Sequence, residues 1–441
     1  MDQRLLRALW LSVLGFIISA PAIVWLTIAP VEPLWNHLSI LTGLLALSAL
    51  VCAAVLPSRL RSLNRALGIE SVIDVHRFLG LVTAALVFAH LACVVAENPA
   101  NVALLNFETA PKRAQAATGA TAALAALAGL AVLRGRTRLS YELWRWLHVV
   151  LAVIVLVLSA LHVWWLDHLV AEPALGTLFG LLAAIVVGIF GYRWAWRPMF
   201  DASTEFLVRE VRQENATVST LVLEPRRRRH TPPTTWAFAP GQFAWIRLER
   251  SVTAEEHPFT IASSAHLDTT EFTIRHAGDF TRALRHLPPG SPVWVDGPHG
   301  AFTNDVGTGA GFVMIAGGVG VTPMMSMLRT AADRCDPRPY RLVVVASSPE
   351  DLLFRDELAD LRRHLDLVVT EVLRRPHDGW YGHTGEIGVG LLSMVLADAA
   401  HPSEIDYFIC GPSSLVTDAL SVLDVLGAAP ARVHTEQFDF V

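Results

Sequence analysis

Six apolar runs, near residues 8–29, 37–57, 72–95, 115–133, 144–166 and 174–196, fill almost all of the first 198 positions of this 441-residue chain. Each is long enough to cross the ~30 Å hydrocarbon core of a bilayer as a helix. Composition agrees: 53% of residues are hydrophobic and 17% charged, where a soluble domain carries about 25% charged. The excess ends near residue 198, beyond which the chain reads as a soluble protein. The N-terminus, with Arg4 and Arg7 before an apolar core, resembles a signal peptide at first sight. Its apolar run continues to about Ala29, longer than a signal core and long enough to span, so a retained first helix is expected.

Arginine placement sets an expected orientation. The loop after the second run holds Arg59, Arg61 and Arg65, and the loop after the fourth holds Arg134, Arg136 and Arg138. The alternate loops carry little positive charge, chiefly Lys112 and Arg113. By the positive-inside rule the N-terminus and the arginine-rich loops face the cytoplasm. Six spans then return the C-terminal half to the cytoplasm, in a multi-pass protein of the plasma or bacterial inner membrane. A net charge of −5 gives no sign of nucleic-acid binding. Cys52, Cys93, Cys335 and Cys410 form no CxxC pair, so zinc ribbons, iron–sulfur spacings and a disulfide framework find no support.

The third run contains HRFLGLVTAALVFAH, with His76 and His90 14 residues apart. Fourteen helical residues rise ~21 Å and return to within ~40° of the same face. One such helix reads as two core histidines. The fifth run, however, contains HVVLAVIVLVLSALH, with His148 and His162 at the same spacing. Histidine in hydrocarbon is costly and marks function by default. Two helices with matched spacing can form two pairs at two depths, each holding an iron from both sides as axial ligands of a haem. The expected pairs are His76 with His148 on the inner side and His90 with His162 on the outer side, giving two haems ~20 Å apart along the membrane normal.

The soluble half divides in two. Residues 201–304 alternate with strand period (STEFLVREV, TVSTLVLEP, QFAWIRLE, EFTIRHA, PVWVDG) and read as a small antiparallel barrel. Residues 305–441 alternate strand and helix (GFVMIAGG, RLVVVAS, LDLVVTEV, YFICG, ARVHTEQF) and read as a parallel-sheet nucleotide domain. RRRRHTPP at 226–233 reads as a solvated hairpin loop, with contact to anionic lipid the other reading. In GGVGVTP, after an apolar strand, Gly318 and Gly320 let the backbone approach a pyrophosphate at a helix N-terminus.

With HPFTIASS at 257–264 and the histidine pairs, the chain resembles the ferric reductase and NADPH oxidase superfamily, and its soluble half is similar to ferredoxin–NADP reductase. The resemblance runs from about residue 40 to the end and implies two haem b groups, FAD, and NADPH or NADH. It implies that His257, Pro258, Phe259 and Thr260 line FAD, with Thr260 near the reactive flavin nitrogen. TIRHAGDFTRAL looks like the second flavin segment, where Arg275, Gly278 and Thr281 approach the pyrophosphate. GPHGAF resembles the family turn containing Gly300, with His299 where an aromatic is usual. The VTP ending brings in Thr322 and Pro323. CGPSSL matches the second nicotinamide segment, with Cys410 beside the nicotinamide and Gly411 and Pro412 following. A C-terminal aromatic that stacks on the flavin is best matched by Phe438, with Phe440 the alternative. Thr260, Cys410 and Phe438 are thus the expected catalytic residues.

The fold expected is a six-helix transmembrane bundle (1–200), an antiparallel β-barrel FAD domain (201–304) and an α/β parallel-sheet nicotinamide-binding domain (305–441). The function implied is electron transfer from NAD(P)H through FAD and the haems to a small-molecule acceptor across the bilayer. Dioxygen is the first candidate, a ferric chelate the second, and a membrane or periplasmic partner protein the third. His37 and His168 lie near the outer exit and read as solvated loop residues. The cofactor choice stays open: SSPED at 347–351 pairs two phosphate-compatible serines with two acids, with Arg355 to compensate.

Overall fold

The computed structural model describes residues 3–31, 33–136, 139–197, 205–226, 236–251, 254–376, 378–397 and 401–437. The chain divides into two compact units, Met1–Arg197 and Pro198–Val441.

In the first unit, α1 (Gln3–Ile28), α2 (Leu34–Val55), α3 (Arg61–Leu67), α4 (Ile69–Glu97), α5 (Lys112–Val132), α6 (Tyr141–Trp164), α7 (Asp167–Val170) and α8 (Pro173–Phe190) follow in order, and a π turn at Gly191–Trp196 extends α8. All except α3 and α7 are long and apolar enough to cross a membrane, which matches the six runs of the sequence. Apolar length does not announce the short α3 and α7; α3 occupies the arginine-rich loop after the second span. In hydrocarbon, hydroxyls must bond within the protein. Thr42, Thr83 and Thr121 do so by donating to carbonyls one turn back, at 2.7, 2.8 and 2.9 Å. α4 packs on α2, and α6 on α5. Small residues allow the second approach: a Cβ at Gly119 of α5 would sit 3.0 Å from Leu158 Cδ1 of α6.

The second unit holds two six-stranded sheets. The first comprises β1 (Glu205–Gln213), β2 (Val218–Pro225), β3 (Phe243–Arg247), β4 (His257–Thr260), β5 (Thr270–Arg275) and β6 (Pro292–His299) in the order β4-β3-β6-β1-β2-β5. All its ladders are antiparallel, as expected. Among the described residues the expected closure into a barrel is limited to one isolated bridge, Ile261↔Phe272, beside an Ala262 N–H to Glu271 carbonyl bond of 2.8 Å, linking the edge strands β4 and β5. Alternate residues of these strands, among them Phe206, Val208, Leu221, Leu223, Ile246 and Phe272, fill the interior.

The second sheet is wholly parallel: β7 (Phe312–Gly317), β8 (Tyr340–Ala346), β9 (Leu367–Leu373), β10 (His383–Thr384), β11 (Asp406–Gly411) and β12 (Val433–Gln437), in the order β10-β9-β8-β7-β11-β12. Its central strands β7, β8 and β11 are buried on both faces, so each face must be covered. Met314 and Ala316 of β7 pack with Met324, Met325 and Leu328 of the helix Val321–Asp333, while Val313 and Ile315 pack with Leu415, Val416 and Ala419 of the helix Ser413–Val425. Burying each such large side chain stabilises by roughly 1.5–3 kcal/mol. The strand order reverses between β7 and β11, and ligands bind doubly wound sheets outside the carboxyl ends of the strands at such a switch point.

Candidate functional site

In the first unit the histidines of α4 and α6 meet in two pairs. The rings of His76 and His148 lie 6.0 Å apart between centroids, and those of His90 and His162 lie 6.5 Å apart. Three of the four rings are oriented by backbone carbonyls. His76 Nδ1 contacts the Ala53 carbonyl at 2.9 Å, His90 Nδ1 that of Ser39 at 2.7 Å, and His162 Nδ1 that of Arg113 at 2.9 Å. An Nδ1–H that donates to a carbonyl leaves Nε2 as the free, basic nitrogen, the tautomer a metal ligand needs.

His148 differs. Its Nδ1 is buried without a hydrogen-bond partner among the described residues. Instead its ring packs against Trp144, one turn earlier, at 5.2 Å between centroids. The Arg134 guanidinium lies 4.4 Å from the Trp144 ring, whose indole N–H donates to the Leu130 carbonyl at 3.2 Å. Around His90 space comes from Gly43: a Cβ there would meet His90 Nδ1 at 3.2 Å. No group of three or more metal-ligating side chains occurs among the described residues, so each pair offers two protein donors. Trp144 carried a sequence signal, as a tryptophan one turn before His148; Gly43 carried none. The orienting carbonyls carried none, because any residue supplies one.

In the second unit the two flavin-type segments come together through Phe280, an aromatic within the second segment that the sequence analysis did not single out. Phe280 packs against His257 at a tilt of 39°, 4.3 Å between centroids, and lies nearly parallel to Phe259 at 6.3 Å. Pro258, between them on β4, sits opposite Trp245 of β3. Thr260 is buried, and its hydroxyl has no hydrogen-bond partner among the described residues. A buried hydroxyl in that state suits a polar ligand. Arg275 ends β5 exposed and without a carboxylate partner among the described residues. Its neighbour His276 is held below the ordinary imidazole range by burial and by the charges of Arg285 and His286. Thr281 acts within its own turn. Its Oγ1 accepts from the Ala277 and Gly278 amides at 2.9 and 3.0 Å and caps the helix Asp279–Leu284. Gly300 adopts φ +100°, and its carbonyl accepts from Gln242 Nε2 at 3.0 Å. His299, the departure from the family turn, is buried with its Nε2 3.2 Å from Asp296 Oδ1.

The two glycine-containing segments of the parallel sheet meet at the switch point. Gly320 lies so close to β11 that a Cβ would stand 2.2 Å from the Cys410 carbonyl oxygen, and one on Gly411 would stand 3.1 Å from the Gly317 amide nitrogen. Cys410 is fully buried. Pro412 caps the helix Ser413–Val425. Thr322 Oγ1 donates to the Val319 carbonyl at 2.8 Å, and Pro323 enters the first turn of the helix Val321–Asp333. Gly318 has φ +57°, and a Cβ there would sit 3.2 Å from Arg275 Nη2. The flavin-type arginine and the nucleotide loop, 43 positions apart in sequence, therefore share one place. Arg355 is engaged elsewhere, by two bonds of 2.7 and 2.8 Å to Glu371 that raise it further above the usual guanidinium range. Phe438, Phe440 and most of RRRRHTPP lie outside the described residues.

Three family models match the chain: a ferric reductase like transmembrane component over residues 42–159, an FAD-binding domain over 213–301 and an oxidoreductase NAD-binding domain over 314–420. Ferredoxin–NADP reductase B of Sorangium cellulosum is 34% identical over 212 residues, covering 46% of this chain and 86% of that protein. A flavohemoprotein of Bacillus subtilis is 24% identical over 278 residues, covering 59% of this chain and 66% of that protein. Among solved structures, a ferredoxin NADP+ reductase from Neisseria gonorrhoeae with bound FAD and NADP is similar, with TM-score 0.47, 22% identity, and cover of 53% of this chain and 98% of that one. Membrane helices joined to FAD- and NAD-binding domains define an NAD(P)H-dependent membrane oxidoreductase. The chain belongs to the ferric reductase/NADPH oxidase superfamily.

Proposed function

We propose that the protein is a transmembrane NAD(P)H oxidase. It takes electrons from cytoplasmic NAD(P)H through FAD and two stacked bis-histidine b-type haems and delivers them to dioxygen across the plasma or inner membrane. In this reading residues 1–200 form the haem-bearing bundle, 201–304 the FAD domain and 305–441 the nicotinamide domain. The observation that carries it is the double histidine pairing of α4 and α6, at 6.0 and 6.5 Å between ring centroids. Two metal–imidazole bonds of about 2 Å plus two ring radii a little over 1 Å span about 6 Å. Two donors per site suit a metal whose remaining positions a macrocycle fills.

When bound, the flavin exchanges a hydride for single electrons and the haems relay those electrons one at a time. The chain's residues bind and orient. Gly318, Gly320 and the N-terminus of the helix Val321–Asp333 present backbone amides to a nucleotide pyrophosphate, and Arg275 supplies a cation beside them. The Thr260 hydroxyl and the His257, Phe259 and Phe280 rings shape the flavin wall. The carbonyls of Ala53, Ser39 and Arg113 orient three imidazoles whose Nε2 would be free to hold the haem irons. One NAD(P)H yields two electrons and one proton, which reduces two dioxygen molecules to two superoxide ions. Dioxygen requires only an accessible edge of the outer haem, and no built binding site.

The test is made on the full-length protein, purified in detergent with FAD. NADH or NADPH is added anaerobically, and the haem absorbance is followed. Reduction of two haems, with reoxidation and superoxide formation on admitting oxygen, is expected. Absence of haem from the purified protein would sink the reading. Fast reoxidation by a ferric chelate with none by oxygen would make the protein a ferric reductase. Indifference to both would point to a partner protein as acceptor.

A further inference from the structure

The helix Val321–Asp333 begins at the nucleotide loop, yet one of its faces grips the other sheet. Ser326, Arg329, Thr330 and Asp333 follow the i, i+3, i+4, i+7 spacing of a single helix face. Ser326 Oγ donates to the Ser263 carbonyl at 2.8 Å. Arg329 Nη1 donates to the Ala262 carbonyl at 2.7 Å. Thr330 Oγ1 accepts from the Ala265 amide at 3.0 Å, and Asp333 Oδ2 accepts from Ser264 Oγ at 2.5 Å. All four partners lie in the segment 262–265, which begins two residues after Thr260.

Arg329 does more than join this row. Its Nε and Nη2 form a fork on Glu357 at 2.6 and 2.7 Å, and Nη1 also reaches Glu271 Oε2 of β5 at 3.1 Å. Its guanidinium lies 5.3 Å from the centroid of the Phe354 ring. Phe354 holds φ +61°, a left-handed conformation costly to a bulky residue, where the loop after β8 turns into the helix Arg355–Leu361. One largely buried cation therefore touches the segment just after the flavin strand, β5, the loop after β8 and the helix behind that loop. Arg212 also reaches Glu271, at 3.4 Å, so one of the two carboxylates facing Arg329 is shared with a second arginine. These groups border an open cleft of about 880 Å³.

We propose that Arg329 is a positioning residue for hydride transfer. It locks the flavin-bearing strand β4 to the nucleotide loop through the helix Val321–Asp333 and so fixes the distance between the two bound rings. The inference rests on the flavin and nicotinamide sites proposed above. A misplacement on the order of 1 Å can cost about 100-fold in rate, so a rigid link of this kind is worth having where two bound groups must meet.

Arg329→Leu and Arg329→Lys are compared in the full-length protein in detergent. In hydrogen exchange, without added nicotinamide, Arg329→Leu is expected to raise exchange in 262–271 and in 350–357 together and to leave β7 and β11 unchanged. In stopped-flow reduction its limiting rate is expected to fall about 10- to 100-fold, with the apparent Kd for NAD(P)H changed less than about threefold. Arg329→Lys keeps one cation without the planar fork and is expected to fall between. Wild-type limiting rate in Arg329→Leu, or exchange raised in only one segment, overturns the proposal. If Arg329→Leu loses FAD or fails to fold, Arg329→Lys decides: a wild-type limiting rate with wild-type exchange overturns the proposal, and a reduced rate with an unchanged Kd supports it. Failure of the wild-type protein to bind FAD or to be reduced by NAD(P)H would instead count against the underlying sites.

Discussion

The membrane unit and the soluble unit place their reactive groups by opposite means. In the bundle, two helices repeat one residue type at one spacing, and backbone carbonyls of neighbouring helices aim three of the four rings. In the soluble unit the groups are all different, and they come together because glycines let two chain segments approach within a distance no side chain tolerates. A site built by repetition should fail one half at a time. A site built by close approach should fail as a whole. If the two are separate modules, damage to one leaves the other's spectroscopic signature intact.

The sharpest break is His162→Leu. If each histidine pair holds a haem, as proposed, this should remove the outer one and reduce the haem-to-flavin ratio from two to about one, with transfer to the acceptor abolished while NAD(P)H still reduces the flavin. Loss of flavin reduction as well would contradict the modular comparison. The mirror experiment is Gly320→Val, which forces a side chain into the Cys410 carbonyl. Flavin reduction by NAD(P)H should fall by about 100-fold, about 2.7 kcal/mol, with the dithionite-reduced haem spectrum unchanged.

Smaller effects sharpen the picture. Thr260→Val removes the buried hydroxyl that has no partner among the described residues. If that hydroxyl bonds the flavin, the rate of flavin reduction should drop about tenfold, about 1.4 kcal/mol, with the fold retained. Trp144→Leu removes the indole packed on His148, whose Nδ1 lacks the carbonyl bond the other three have. The inner haem should then bind more loosely, by about tenfold, and lose occupancy first on detergent dilution, while the outer haem stays. Equal loss from both would show that the inner pair is held like the outer.

The smallest effect lies far from either site. Bonds from Arg338 chiefly, and from Tyr340, hold the Asp336 carboxyl below its usual range against the opposing effect of burial. A depressed carboxyl contributes stability that is complete above its unfolded pKa, about 4, and is lost as pH falls through its folded value. Asp336→Asn should cost about 0.5 kcal/mol at pH 7, since Arg338 is about a third exposed. The penalty should shrink toward zero below pH 4, as read by thermal unfolding at the two pH values.

Much of this molecule was legible in the chain alone, and for a physical reason. Apolar length dictates spanning helices because a bilayer offers backbone amides no water, so six spans could be counted. The 14-residue spacing of His76–His90 and His148–His162 fixes face and depth because helical rise and twist are constant. Strand alternation and the turn after β7 announced both sheets. Tertiary structure alone decided which backbone carbonyls aim His76, His90 and His162, that Phe280 joins the two flavin segments, and that Arg275 lies over Gly318. It also gave Arg355 to Glu371 and Arg329 to four distant partners. Periodicity is a property of one segment and survives in its letters. A contact between segments depends on where the fold brings each backbone, and that information belongs to no single stretch of the sequence.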